Sequence, residues 1–239
     1  MAKSATFLFH GSLNDFLLSS KRRKPVVYTF DDTPAIKHAI ETIGVPHPEI
    51  DVIRVNNVAV DFYYSLQDED IAEVFPFISS HQKEEEKFIL DVHLGKLAKA
   101  LRLFGFDSYY ENDYSDNMII EIAEAENRII LTRDRNLLKH KLVKTAHWLR
   151  SQNVDEQLAE VIKRFTLRNK FKFFKRCVEC NGKILPVIKA DILHLLLPKT
   201  ILYYHDFFQC SNCRRIYWRG SHYEQIQNFI RRTEAKLGG

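Results

Sequence analysis

Residues 88 to 135, FILDVHLGKLAKALRLFGFDSYYENDYSDNMIIEIAEAENRIILTRDR, leave this chain little choice of fold class. Two short apolar runs, Phe88-Ile89-Leu90 and Arg128-Ile129-Ile130-Leu131-Thr132-Arg133, each lead into an aspartate, Asp91 and Asp134. Runs of this length, bounded by polar residues and alternating with helical patterns, read as buried parallel strands. Leu94, Leu97, Ala98, Leu101 and Phe104 recur at the spacing of one helical face, and Gly105 stops that helix. Met118, Ile119, Ile122 and Ala123 repeat the pattern in a helix that starts at Ser115-Asp116, and Ser108-Tyr109-Tyr110 supplies a strand between the two. The order strand, helix, strand, helix, strand predicts an α/β domain: a parallel sheet with crossover helices.

In such sheets the ligand site lies outside the carboxyl ends of the strands. Asp91 and Asp134 fall there, and Asp116 falls at a helix N-terminus on the same side. Carboxylates converging on one rim repel each other unless a cation neutralises them, and hard oxygen ligands suit Mg²⁺ or Mn²⁺. The chemistry this allows is metal-assisted attack of water on a phosphodiester. Each acid taken alone has a plainer reading as a helix cap, Asp116 for its own helix and Asp134 for one beginning at Asn136.

FILDVHLGKLAKALRLFGFD, followed by SDNMIIEIAEAENRIILTRDRNLL, resembles the Mut-seven C-terminal (Mut7-C) RNase domain, a compact PIN-like nuclease family. The likeness continues through a four-cysteine module to YWRGSH and covers roughly residues 87 to 225. It implies a PIN-like three-layer α/β/α fold, metal-dependent RNase activity, and Asp91, Asp116 and Asp134 as the acidic set. PIN-like domains often use a fourth acid, for which Glu121 and Asp113 are the candidates. Arg133 and Arg135 flank the last acid and Lys96 follows the first; each could hold phosphate or form surface salt bridges.

The N-terminal 80 residues carry a different pattern. Strands are expected at Ala5 to His10 and Pro25 to Phe30, with a turn at Lys21-Arg22-Arg23-Lys24. A helix starts at Thr33-Pro34 and runs through Ile36, Ala39, Ile40 and Ile43 to Gly44. Strands follow at Ile50 to Val55, after the Asn56-Asn57 turn at Val58 to Phe62, and near Ile71 to Phe75. This looks like a β-grasp, similar to the ubiquitin-like domain that precedes some members of the RNase family. VNNVAV…LQDEDIAEVFP also resembles small sulfur carriers, but those act through a free C-terminal Gly-Gly, and here the chain runs on into Pro76. His81 to Lys87, HQKEEEK, reads as a solvated linker. The expected organisation is therefore a ubiquitin-like domain over 1–80, a PIN-like RNase domain over 86–167 and a zinc ribbon over 168–239.

Cys177-Val178-Glu179-Cys180 and Cys210-Ser211-Asn212-Cys213 predict the last of these. Two such knuckles about thirty residues apart make a closed tetrahedral Zn²⁺ site, structural rather than catalytic. Asn181-Gly182 supplies the tight turn a knuckle needs. Paired cysteines of this kind indicate a reducing, cytoplasmic setting rather than a disulfide framework. No stretch reads as a signal peptide or a membrane span. The formal net charge of +4 hides a gradient. Residues 1–86 hold 8 Lys and Arg against 14 Asp and Glu, or −6; residues 168–239 hold 14 against 5, or +9. An acidic head points to a protein docking on the ubiquitin-like domain, and a basic tail points to RNA. In the tail Lys170, Lys172, Lys175, Arg176, Arg214, Arg215 and Arg219 interleave with Phe171, Phe173, Phe174, Tyr217 and Trp218. Basic groups hold phosphate and exposed rings stack on unpaired bases, although rings in a small module also serve as its core. His222 closes the YWRGSH string and could either bond the ribbon or reach substrate. A ribonuclease is the leading expectation. A non-catalytic RNA- or ribosome-binding adaptor and a DNA-directed nuclease remain the alternatives.

Overall fold

The computed structural model describes residues 2–77 and 86–237; the charged run at 81–87, apart from its last two residues, and Gly238-Gly239 lie outside them. The N-terminal part comprises β1 (Lys3–Phe9), β2 (Val26–Phe30), α1 (Ile36–Ile43), β3 (Ile50–Val55), β4 (Val58–Val60) and β5 (Ile71–Pro76). Alternating strands and helices follow as β6 (Lys87–Leu90), α2 (Gly95–Leu103), β7 (Asp107–Tyr109), α3 (Asp116–Glu126), β8 (Ile129–Thr132), α4 (Arg135–Leu138), β9 (Ala146–Trp148) and α5 (Val154–Arg164). The tail adds β10 (Ile184–Val187), α6 (Lys189–Ile192), α7 (Pro198–Tyr203), β11 (Phe207–Cys210), β12 (Ile216–Tyr217) and α8 (Ser221–Leu237). By internal contacts the chain forms two units, residues 1–82 with 120–148, and residues 83–119 with 149–239.

In the first unit β1 is an interior strand of a β-grasp. Its five-stranded sheet has the order β2-β1-β5-β3-β4, with β1 parallel to β5 and antiparallel to β2. The alternation of Ala5, Phe7 and Phe9 inward explains the choice of face, since successive side chains of a strand point to opposite sides. Ile36, Ala39 and Ile40 of α1 are fully buried, and Gly44 ends that helix at φ 127°. Asn56 and Asn57, at φ 49° and 68°, make the two-residue turn that sets the β3–β4 register, Val55 opposite Val58. The β1–β2 connection departs from the expected simple turn at Lys21 to Lys24. It folds back as two 3₁₀ segments, Gly11–Phe16 and Ser19–Lys21, because Leu13, Phe16 and Leu17 are apolar enough to be buried.

Residues 120–148 pack with this domain. β8 pairs in parallel with β9, Leu131 opposite His147. The Phe16 and Trp148 rings lie 5.0 Å apart. Glu49, 1% exposed, accepts from His147 Nδ1 at 3.0 Å and from the Trp148 backbone N–H at 2.7 Å. His47 bridges Glu41 Oε1 at 2.6 Å and the Val143 carbonyl at 2.7 Å. A carboxylate this deeply buried persists only when such donors satisfy it.

In the second unit β6 pairs in parallel with β7, Phe88 opposite Ser108, and α2 makes the crossover. Leu97, Ala98, Leu101 and Phe104 are buried, as the helical spacing requires. Asn153 caps α5 by accepting from the backbone N–H groups of Asp155 and Glu156. Asp155 sits in the first turn, 3.4 Å from Lys236 of α8. After α5 the chain passes directly over Gly105. The Lys172 N–H donates to the Phe104 carbonyl at 3.0 Å, and Phe104 meets Phe171 and Phe173 at centroid distances of 4.9 and 5.2 Å. Phe171 and Phe173 are half-buried, with their rings packed against Phe104. Gly105 has φ 95°, and a β-carbon there would run into the Lys172 carbonyl. Gly105→Ala combines a left-handed backbone with a backbone clash, so it is expected to destabilise this unit by roughly 3 kcal/mol. Denaturant unfolding of the variant beside the wild type measures this.

Candidate functional site

The four cysteines converge. Among the described residues they are the one group of three or more His, Cys, Asp or Glu side chains whose ligand atoms all lie within 4.8 Å of one another. Cys177 Sγ is 3.6 Å from Cys213 Sγ, and Cys180 Sγ is 3.4 Å from Cys210 Sγ. All four are free thiols, and four sulfurs about 2.3 Å from one ion would stand roughly 3.8 Å apart. The donor set thus fits a tetrahedral dication.

Both knuckles are built alike. Each places a left-handed residue directly after its second cysteine, Asn181 at φ 64° and Arg214 at φ 62°. Each closes on its first cysteine: Asn181 N–H donates to the Cys177 carbonyl at 2.9 Å, and Arg214 N–H to the Cys210 carbonyl at 3.2 Å. Gly182 follows the first knuckle because a β-carbon there would lie 2.8 Å from Cys210 Sγ. Strand pairing of β10 with β11, Ile184 opposite Cys210, then brings the knuckles together.

The sulfurs do not share protons evenly. Burial pushes Cys180 up, but the Gly182 N–H and bonds to the other three sulfurs outweigh it and bring the thiol down to about 6. Burial carries Cys213 up to about 12 and also raises Cys210. A dication held by these four sulfurs would bind them as thiolates and release their protons. Tyr217 Oη donates to Cys177 Sγ at 2.9 Å; burial and that sulfur raise its pKa.

The first knuckle is also tied to α2 and β7. Arg102, 3% exposed, donates through Nε to the Ser108 carbonyl at 2.9 Å. Its Nη1 reaches the carbonyls of Val178 at 3.1 Å and Glu179 at 2.7 Å. Burial pulls its pKa below the usual arginine value, and Glu111 and the cysteines pull it back up. Asn181 bonds Asp107 Oδ1 at 2.8 Å and accepts from the Ser108 N–H at 3.1 Å, while Arg176 pairs with Asp107 at 3.1 Å. Outside this buried set, Lys99 holds the Glu179 carboxyl at 2.9 Å and below the usual carboxylate range.

The three acids sit at the ends of their elements. Asp91 directly follows β6 and is 8% exposed; its carbonyl accepts from the Leu94 N–H at 2.9 Å, and its side chain makes no cap bond. Asp116 is the first residue of α3 and is exposed. The preceding Ser115 provides the cap, accepting from the Met118 N–H at 3.3 Å. Asp134 follows β8, is exposed, and caps α4 by accepting from the Asn136 N–H at 2.7 Å. The three form no metal-sized cluster among the described residues, and Asp113 and Glu121 are exposed.

A family model described as the Mut7-C RNAse domain matches residues 86–230, and one described as Mut7-C ubiquitin matches residues 2–82. The chain belongs to the Mut7-C RNAse family. No curated protein and no solved structure matched it.

In this Mut7-C RNAse chain the basic residues singled out from the sequence have distinct settings. Lys96, Arg133, Arg214, Arg215 and Arg219 are exposed, with Arg215 3.9 Å from Glu179 and Arg219 over the Tyr223 ring. Trp218 is 39% exposed. Arg176 is committed to Asp107. Arg135 is committed as well: its guanidinium lies 4.1 Å from the Trp148 ring centroid and donates to the Asp15 and Phe16 carbonyls at 3.0 and 3.4 Å. The side chain of His222 lies outside the described residues. Sequence reasoning missed Arg102, Asn181 and the Arg135–Trp148 pair as structural links. The only signal in the sequence for Arg102 was its place between Leu101 and Leu103. No helix among the described residues is long and apolar enough to cross a membrane.

Proposed function

We propose that this Mut7-C RNAse protein is a divalent-cation-dependent endoribonuclease acting through Asp91, Asp116 and Asp134, with its ribbon gripping RNA. The observation that carries the reading is Asp91. In a chain of an RNase family, a carboxylate 8% exposed stands at the carboxyl end of a parallel strand, where α/β sheets place their ligands. Mg²⁺ or Mn²⁺ takes hard oxygens and usually keeps several waters, so one or two of these carboxylates suffice to hold it. When bound, the cation would polarise the phosphodiester and lower the pKa of the attacking water. The protein's part is to hold its carboxylates still. Burial restricts Asp91, and the cap bond through Oδ1 restricts Asp134. Asp134 has further support, since Trp148 Nε1 donates to the Arg133 carbonyl at 3.2 Å and Arg135 is wedged between Phe16 and Trp148. The acidic ubiquitin-like domain therefore steadies the segment that carries Asp134, and its remaining surface is offered to a protein partner. Zn²⁺ in the cysteine quartet is structural, and the setting is a reducing cytoplasm.

The test compares uniformly labelled RNA and DNA of one sequence, each with and without added Mg²⁺ or Mn²⁺. Internal cleavage of RNA that needs the cation, with DNA left intact, is the expected result. Equal cutting of DNA would make this a DNA-directed nuclease. RNA bound but never cut by folded, metal-supplied protein would make it an adaptor.

A further inference from the structure

The ribbon contains a cavity that its structural role does not require. It measures about 850 Å³ and lies between the β10–β11–β12 sheet and helices α7 and α8. Six aromatic side chains line it: Phe174, Tyr204, Phe208, Tyr217, Trp218 and Tyr223. None of the six is buried, although Phe207, which lies on the same strand as Phe208, is 2% exposed and does serve as core. Trp218 is 39% exposed and the other five are half-buried, so ring surface remains available to an occupant of the cavity. The rings are also fixed. Phe174 meets Tyr223 at 5.0 Å, Trp218 meets Tyr204 at 6.3 Å, and Tyr217 is anchored to Cys177. Gly220 keeps the Trp218 edge uncovered, because a β-carbon there would approach Trp218 Nε1 to 2.8 Å.

The charges around the cavity select among occupants. Arg215 and Arg219 are its cations and Glu179 its one acid, and Lys99 already neutralises Glu179 from outside the lining. Flat, fixed rings beside exposed guanidinium groups suit a planar aromatic ligand bearing negative charge.

We infer that this cavity holds an unpaired nucleobase, with Arg215 and Arg219 on the flanking phosphates, so that the protein takes single-stranded rather than duplex RNA. The inference rests on the ribonuclease reading above but concerns a part of the chain remote in sequence from the acids. A base inside a duplex presents only its edges to the grooves, and in RNA sequence-tolerant stacking is available chiefly where strands are unpaired. Ring stacking gives affinity without choosing a base, so preference for one sequence is not expected from this cavity.

The experiment is equilibrium binding of the full chain to a short fluorescent oligoadenylate, with no Mg²⁺ or Mn²⁺ added so that nothing is cut. The same strand annealed to its complement and an abasic strand of equal length serve as comparisons. The single strand should bind at least about tenfold more tightly than either, and Trp218→Ala or Tyr223→Ala should each weaken it about tenfold, towards the abasic value. Tyr203→Ala, an exposed ring outside the lining, should change nothing and shows that surface ring loss alone is without effect. Abasic and base-bearing strands binding alike, or both cavity variants binding like wild type, would overturn the cavity's role while leaving the nuclease reading standing. Failure of folded wild type to bind any RNA would remove that reading as well, and this inference with it.

Discussion

Cys210→Ser is expected to strip the metal from the ribbon and to loosen β11 and β12 while β6 and β7 stay folded. Cys210 is fully buried, and its backbone N–H donates to the Arg215 carbonyl at 2.9 Å. Its sulfur also accepts from the Asn212 N–H at 3.4 Å, so losing it disturbs the whole second knuckle. In small zinc modules binding energy is largely folding energy, on the order of 10 kcal/mol. Here only part of that would appear as unfolding, because the first knuckle is held independently. Arg102 binds its carbonyls, Asn181 bonds Asp107, and Phe171 and Phe173 pack on Phe104. Elemental analysis should find one zinc per wild-type chain and none in the variant. Hydrogen exchange should show protection lost at Phe207 to Tyr217 and kept at Cys177 to Gly182. Protection lost throughout β6 and β7 would mean that the metal supports the RNase fold itself.

The contrast between the two knuckles shows what a sequence can and cannot announce. Cysteine spacing declares a metal site because four soft ligands have few other uses in that pattern. Nothing in the spacing says that one knuckle docks on the RNase helix, since an arginine inside a helical run reads as solvated surface. Arg102 is buried only because three carbonyls on two distant segments satisfy it, and such partners are not local. The strands and helices of residues 88 to 135 were legible for the opposite reason. Their apolar periodicity is local, and tertiary packing follows it at Leu97, Leu101 and Phe104. Caps were less legible, because Ser115 and Asp116 are chemically equivalent candidates one residue apart. The tail's α6, α7 and α8 went unread; Ile192 to Leu197 is a nearly unbroken aliphatic run that shows no helical period.

The candidate acids divide along the same line. Position at a strand end can be read from the sequence, and Asp91 and Asp134 stand there. Burial cannot, and it separates Asp91 from the exposed Asp116 and Asp134. Asp134 also performs the capping role that its sequence context offers, so its substitution removes a helix cap worth about 1 kcal/mol along with any catalytic function. Asp91 makes no side-chain cap bond, so its substitution removes no helix cap.

The decisive measurement is the single-turnover cleavage rate of a labelled RNA by Asp91→Asn beside wild type, at saturating protein and with Mg²⁺ or Mn²⁺ present. Asparagine keeps the shape of the buried side chain and removes its charge, so unfolding midpoints should stay close together. The rate should fall by about a hundredfold or more, as when a group that stabilises developing charge is removed. RNA affinity in the absence of the cation should be unchanged, because the rings and guanidinium groups of the ribbon are untouched. A folded Asp91→Asn protein that cuts RNA at the wild-type rate would contradict the assignment of this carboxylate to the chemistry.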